Sequence, residues 1–320
     1  MSTLVVSLPA DRPTVSQFLA RPEVRGIAFG LTAAAIWGAY LAMARVGVAA
    51  GLQATDIAAI RFGVAGLVML PWLLRHGVMG MAGIGFVKAS ALALVAGPLF
   101  VLVGVGGYAF APLAHGAVVQ PAALTLCSIG LAMLFLGDRP PRARIIGVAV
   151  ILVGLAVIAG PGLLSTGAIT PLGDLMFACA GALWAVFSVL SRRWNVSPLA
   201  GTAVVSVLSA AVYVPIYLLL IGADRLIAAP QSMIATQVVV QGLLSGIVAV
   251  IAFSKAVQLL GAGRASVFPA LVPAVAISLG VPIAGELPTW LQLAGLAFVS
   301  LGLLVTLDVV RLGRRTATPA

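Results

Sequence analysis

From residue 26 onward the chain alternates long apolar runs with short punctuation by glycine, proline or charge. Ten runs stand out: 26–49, 54–74, 88–109, 113–136, 142–160, 171–191, 199–222, 235–258, 261–285 and 288–308. Each approaches the roughly 20 residues that carry a helix across a bilayer core, so the pattern predicts ten transmembrane helices. The third and fourth runs, and the eighth and ninth, have almost no linker between them; each pair must turn back as a tight hairpin. Residues 1–25 are mixed in character. Their apolar stretch Leu4–Leu8 is interrupted by Ser7 and stopped by Pro9, too short for a signal-peptide core. The segment is read as an extramembranous tail with a short amphipathic helix around Ser16–Leu19.

The two halves of the pattern resemble one another. A shift of 148 places Ala117 on Ala265, Pro121 on Pro269, Gly137 on Gly285, Asp138 on Glu286, Pro140 on Pro288, Gly147 on Gly295 and Gly154 on Gly302. A shift of 147 places Trp37 on Trp184 and Tyr40 on Phe187. Five spans per repeat is an odd number, so the second repeat must cross the membrane upside down. The expected fold is an all-α polytopic membrane protein of two inverted five-helix repeats, 26–160 and 171–308, flanked by tails at 1–25 and 309–320. Inverted repeats of this kind characterise secondary transporters with a midplane site between the halves.

Composition narrows the function. Of 320 residues 62% are apolar and 8% charged, with a mean hydropathy of +1.19. No room is left for a soluble cofactor or nucleotide-binding domain. The net charge of +10 would suggest nucleic acid in a polar protein, but these cations are few and scattered. Their distribution instead sets topology. Arg12, Arg21, Arg25, Arg75, Lys88, Arg139, Arg142, Arg144, Arg192, Arg193, Lys255, Arg264, Arg311, Arg314 and Arg315, 15 of the 18 basic residues, fall in the tails and even-numbered loops. Both termini are therefore expected to be cytoplasmic and the protein to sit in the inner (plasma) membrane. Cys127 and Cys179 lie inside apolar runs and read as small buried hydrophobes. No metal site and no cofactor is expected; the partners are a small-molecule solute and the lipid bilayer, with a homodimer permitted.

The Ala-rich first span with Ile36-Trp37-Gly38, Ile60-Arg61-Phe62 in the second, and the junctions Leu136-Gly137-Asp138-Arg139-Pro140 and Ala284-Gly285-Glu286-Leu287-Pro288 resemble the drug/metabolite transporter superfamily, specifically its EamA-type branch. The resemblance covers about residues 26–308 and implies a ten-helix carrier of small metabolites, often working outward. It leaves the substrate open.

Every acid falls in a tail, loop or span end: Asp11, Glu23, Asp56, Asp138, Asp174, Asp224, Glu286 and Asp308. The small multidrug relatives in the superfamily rely on a membrane-embedded acid, so classical cation/proton antiport is disfavoured. Asp138 and Glu286, each before a proline and a new helix, read as helix caps. Trp72, Trp194 and Trp290 mark span ends and suit the interfacial belt. Trp37 and Trp184 lie mid-span and, with Tyr40 and Phe187, either wall a central cavity or simply pack between helices. Arg61, about 10 Å into its span, is either a functional cation or a snorkelling one; Arg45 reads as a snorkelling anchor. His115 could titrate, and it points away from Gln120, so only one of the two need face a cavity. Pro121 and Pro269 occupy equivalent places as candidate helix breaks that free the carbonyls of Ala117 and Ala265, and Phe268 joins the candidate solute-binding set beside Pro269.

The leading expectation is an alternating-access carrier exporting amino acids or similar polar solutes, with Arg61 receiving a carboxylate. A multidrug, nucleoside or sugar carrier of the same superfamily is the alternative. A membrane-embedded enzyme would need a nucleophile with a base, a metal cluster or paired carboxylates at one depth, and His76, His115 and the span-end acids supply none. A structural subunit leaves the duplication unexplained.

Overall fold

The computed structural model of the chain describes residues 21–136, 141–164, 169–261, 265 and 267–306. Residues 1–20, with the stretch near Ser16–Leu19, the C-terminal tail, the Asp138 junction and Arg264 lie outside the described residues. Within them the regular structure is helical throughout: α1 (Pro22–Ala49), α2 (Ala54–Arg75), α3 (Phe86–Ala96), α4 (Pro98–Gly106), α5 (Leu113–Leu136), α6 (Arg142–Leu164), α7 (Thr170–Arg193), α8 (Pro198–Leu220), the short α9 (Asp224–Ala228), α10 (Gln231–Gln237), a π-helical stretch Val238–Val248 running into α11 (Ala249–Leu260), α12 (Val267–Ala284) and α13 (Trp290–Thr306). Seven helical stretches are long and apolar enough to cross a membrane, and Phe268–Ala284 and Trp290–Thr306 are shorter apolar helices. Leu67, Leu134, Leu219 and other large apolar side chains face outward, as lipid-facing positions do. The chain is a multi-pass membrane protein.

Local chemistry sets the helix starts. Pro22 opens α1 with Glu23 in the first turn, where an acid meets the positive end of the helix dipole. Gln53 and Asp56 form a reciprocal capping box on α2. Ser197 accepts from the Ala200 amide ahead of α8 at 3.3 Å. Thr289 and Gln292 satisfy each other's amides at the head of α13, at 2.9 and 3.3 Å. Gly261, at φ +82°, ends α11 in a conformation that an L side chain rarely adopts.

The third and eighth apolar runs depart from regular α-helix. The third breaks at Gly97-Pro98, between α3 and α4; Pro98 has no amide to donate. The eighth is π-helical over Val238–Val248. A shift of 148 carries Gly97 onto Ser245, so both departures fall at one place in the repeat.

Packing follows the same symmetry. α2 lies against α8, α6 against α13 and α5 against α12, while α1 packs on α12 and α11 just as α7 packs on α5 and α4. Residue pairings show that α2 and α8 run antiparallel: Asp56 meets Tyr217, and Gly66 meets Ser206 and Ala210. α6 and α13 also run antiparallel and cross through four glycines. A Cβ on Gly147 would come within 2.8 Å of the Gly302 carbonyl oxygen, and one on Gly154 within 2.9 Å of that of Gly295. The glycines matched by the sequence repeat are thus partners in one close crossing, where small residues let backbones approach.

Pro269 lies in α12 together with Pro273 and Pro282, and Gly97-Pro98 breaks the third run between α3 and α4. Three local expectations need correction. Glu286 does not cap its own helix, because Thr289 and Gln292 already do so; its carboxylate turns instead to the first amide of α5. Arg45 is ion-paired with Glu286 at 2.5 Å and does not snorkel alone. Cys127 is half-buried and Cys179 exposed, so Cys179 is an outward-facing small residue.

Candidate functional site

Arg61 is the eighth residue of α2 and is only 9% exposed. Its Nη1 donates to Ser245 Oγ at 2.8 Å, and its guanidinium carbon lies 5.0 Å from the centre of the Tyr40 ring and 5.9 Å from that of Phe62. Among the described residues no carboxylate pairs with it. A buried cation without a counter-ion is costly. Cation–π contact and one hydroxyl soften that cost without neutralising the charge.

The end of α10 and the π-helical stretch that follows it supply the rest of this cluster. Gln237, Gln241 and Ser245, four residues apart, share one face and are all buried. Gln237 Nε2 donates to the Met43 backbone carbonyl at 2.8 Å, Gln241 Nε2 donates to that of Tyr40 at 3.2 Å, and Ser245 Oγ donates to the backbone carbonyl of Gln241 at 2.9 Å. The side-chain carbonyl oxygens of Gln237 and Gln241 have no hydrogen-bond partner, a cost of about 1–3 kcal/mol for each. Spans from both halves thus bring together a guanidinium lacking an anion and two carbonyls lacking donors. Sequence reasoning found Arg61 and Tyr40 but passed over Gln237, Gln241 and Ser245. Their spacing of four in an apolar run is the polar-stripe signal that would have revealed them.

The remaining candidates are placed elsewhere. Trp37 meets Phe253 at 5.5 Å between ring centres, and Trp184 meets Phe100 at 4.9 Å and Phe187 at 5.0 Å. These are two separate ring groups at symmetry-related interfaces, α1 with α11 and α7 with α4, rather than facing walls. Phe268 fills the space left by Gly30, where an added Cβ would lie 2.2 Å from its ring; it is a packing residue between α1 and α12. Pro121 lies inside α5, and the half-buried Gln120 turns toward Gly104.

His115 points the other way, with Nδ1 2.8 Å from Asp174 Oδ1. This pair joins α5 to α7 at the bundle end where two further ionic groups lie. Arg45 bonds Glu286 and, at 2.7 Å, the Tyr108 carbonyl, while Glu286 accepts the Leu113 amide at 2.8 Å. Asp56, fully buried, takes the Tyr217 hydroxyl at 2.8 Å and two Arg225 nitrogens at 2.9 and 3.1 Å. Those bonds to Asp56 push the Arg225 guanidinium further above its ordinary pKa. A cavity of about 190 Å³ opens at this end beside Glu286, Leu113, Ile277 and Gln292; none of the Arg61 cluster lines it. Among the described residues no three His, Cys, Asp or Glu side chains gather as metal ligands would.

A family model described as the EamA-like transporter family matches residues 24–160 and again 171–308. No curated protein matches the chain. Among solved structures, one chain described only as a protein of known crystal structure superposes with a TM-score of 0.58 at 20% identity, covering 91% of this chain and 99% of its own. At that identity the likeness concerns the fold alone.

Proposed function

The chain belongs to the EamA-like transporter family of the drug/metabolite transporter superfamily, and we propose that it is a ten-span secondary carrier of amino acids or similar small polar solutes. The ten apolar runs form two inverted five-helix repeats, with both termini in the cytoplasm of an inner-membrane protein. The solute site lies at Arg61, between the halves, and is exposed alternately to each side. With that topology the three ionic groups lie at the outer end, and export proceeds when they part.

One observation carries the reading: Arg61 is buried by spans from both repeats and lacks an acidic partner among the described residues. A charge retained at that cost inside a membrane bundle marks a solute or ion path, and a guanidinium presents a planar fork suited to carboxylate. The described acids that could hold a cationic drug, Asp56, Asp174 and Glu286, are already engaged at one end.

The test is release of endogenous metabolites by cells expressing wild-type protein, Arg61→Lys or Arg61→Gln at equal membrane abundance. Wild type should raise extracellular amino acids or related carboxylate-bearing solutes. Arg61→Lys keeps the charge but loses the bidentate geometry and should cut release at least about tenfold; Arg61→Gln should abolish it. Release unchanged in both variants, or resistance confined to lipophilic cations, contradicts the assignment.

A further inference from the structure

We infer that the side-chain carbonyl of Gln241 is the acceptor half of the Arg61 site and receives the ammonium group of an amino-acid solute, with Gln237 offering a second acceptor farther along its path. The inference rests on the carrier reading above and adds to it the group that recognises the solute's second charge.

The amides fix the direction of these acceptors. Each Nε2 is spent on a backbone carbonyl of α1, that of Met43 or Tyr40, so neither side chain can rotate its oxygen without giving up that bond. Both oxygens are shielded and unpartnered, and both residues are fully buried. Ser245 needs nothing further, since it accepts from Arg61 and donates to the backbone carbonyl of Gln241. What the cluster lacks is therefore an anion at Arg61 and N–H donors one and two turns away along the same helix face. A zwitterion carries both groups, whereas a carboxylate without an amine leaves the carbonyls unpaired. A site with buried polar groups of this kind rejects an analogue that cannot bond them. The stripe also gives a direction of travel: Gln237 lies beside Gly47, near the end of α1, so the acceptors lead from one end of the bundle toward Arg61.

The experiment uses purified full-length protein in liposomes. Exchange of a 14C-labelled mixture of protein amino acids is measured against unlabelled amino acids and against the matching 2-oxo acids, which keep the carboxylate and lack the amine. In wild type, 2-oxo acids should compete at least about tenfold less well. Gln241→Met, similar in volume and without an acceptor, should weaken amino-acid competition about tenfold while leaving 2-oxo acids unchanged; Gln237→Met should act in the same sense. Equal weakening of both classes, or no change, overturns the inference and leaves the glutamines as packing residues. If Gln241→Met does not reach the membrane, Gln241→Leu decides by the same comparison: weakening confined to amino acids supports the inference, and equal weakening of both classes or none overturns it. Wild-type protein that exchanges without distinguishing the two acids overturns this inference alone, whereas failure to exchange any amino acid overturns the carrier reading itself.

Discussion

Glu286 shows how one side chain can tie several elements. Its carboxylate bonds Arg45 of α1 and the first amide of α5, joining the α12–α13 junction to two spans of the first half. Both side chains of the ion pair are about a quarter exposed, at 25% and 27%, so its ionic part is worth about 1 kcal/mol at most. Glu286→Gln should keep an acceptor for Leu113 and lower the thermal midpoint in detergent by a few degrees. Glu286→Ala should lower it further, because the α5 amide then loses its partner as well. Equal losses would assign the whole effect to charge. The sequence marked Glu286 as a helix cap, and capping is indeed its chemistry. What it could not reveal was which helix, since residues 113 and 286 meet only through the tertiary fold. Arg61 was legible because a charge in an apolar run stands out without knowledge of its neighbours.

At the scale of elements, the positions of the helices followed directly from the apolar runs, since bilayer thickness and backbone hydrogen bonding leave few alternatives. The departures from regular helix were harder to see. Gly97-Pro98 is a breaker dipeptide inside the third run, whereas Val238–Val248 has no local signature, as an apolar sequence reads alike in α and π geometry. The repeat arithmetic found Gly147, Gly154, Gly295 and Gly302 but not that they oppose one another across α6 and α13. That crossing makes a sharp prediction. Gly154→Ala must press its methyl on the Gly295 carbonyl and on Val299, which would lie 2.9 and 2.7 Å away, and should destabilise by about 1–3 kcal/mol. Gly130→Ala, with nothing within 4 Å, should leave stability unchanged or raised. The detergent thermal midpoints of the two variants check this, and equal behaviour would mean that the crossing yields freely.

For the whole molecule, an inverted duplication makes topology and mechanism one question. Single cysteines placed near Gly51 and Ala228, in protein lacking Cys127 and Cys179, should react with an impermeant thiol reagent in intact cells, while cysteines in residues 1–25 and 309–320 should react only after lysis. Labelling of the tails in intact cells would reverse the orientation. Under the carrier mechanism proposed above, the pseudo-twofold packing of α2 on α8 and of α6 on α13 would give the molecule two related arrangements, one opening to each side. The central claim is that it carries solute by moving between them, and counterflow tests that claim most directly. Liposomes holding purified protein and a high concentration of unlabelled amino acids, diluted into a trace of the labelled mixture, should accumulate label transiently above its external concentration, because a carrier must exchange what it binds. Label that only equilibrates, as through a pore, or that never enters, would contradict the account.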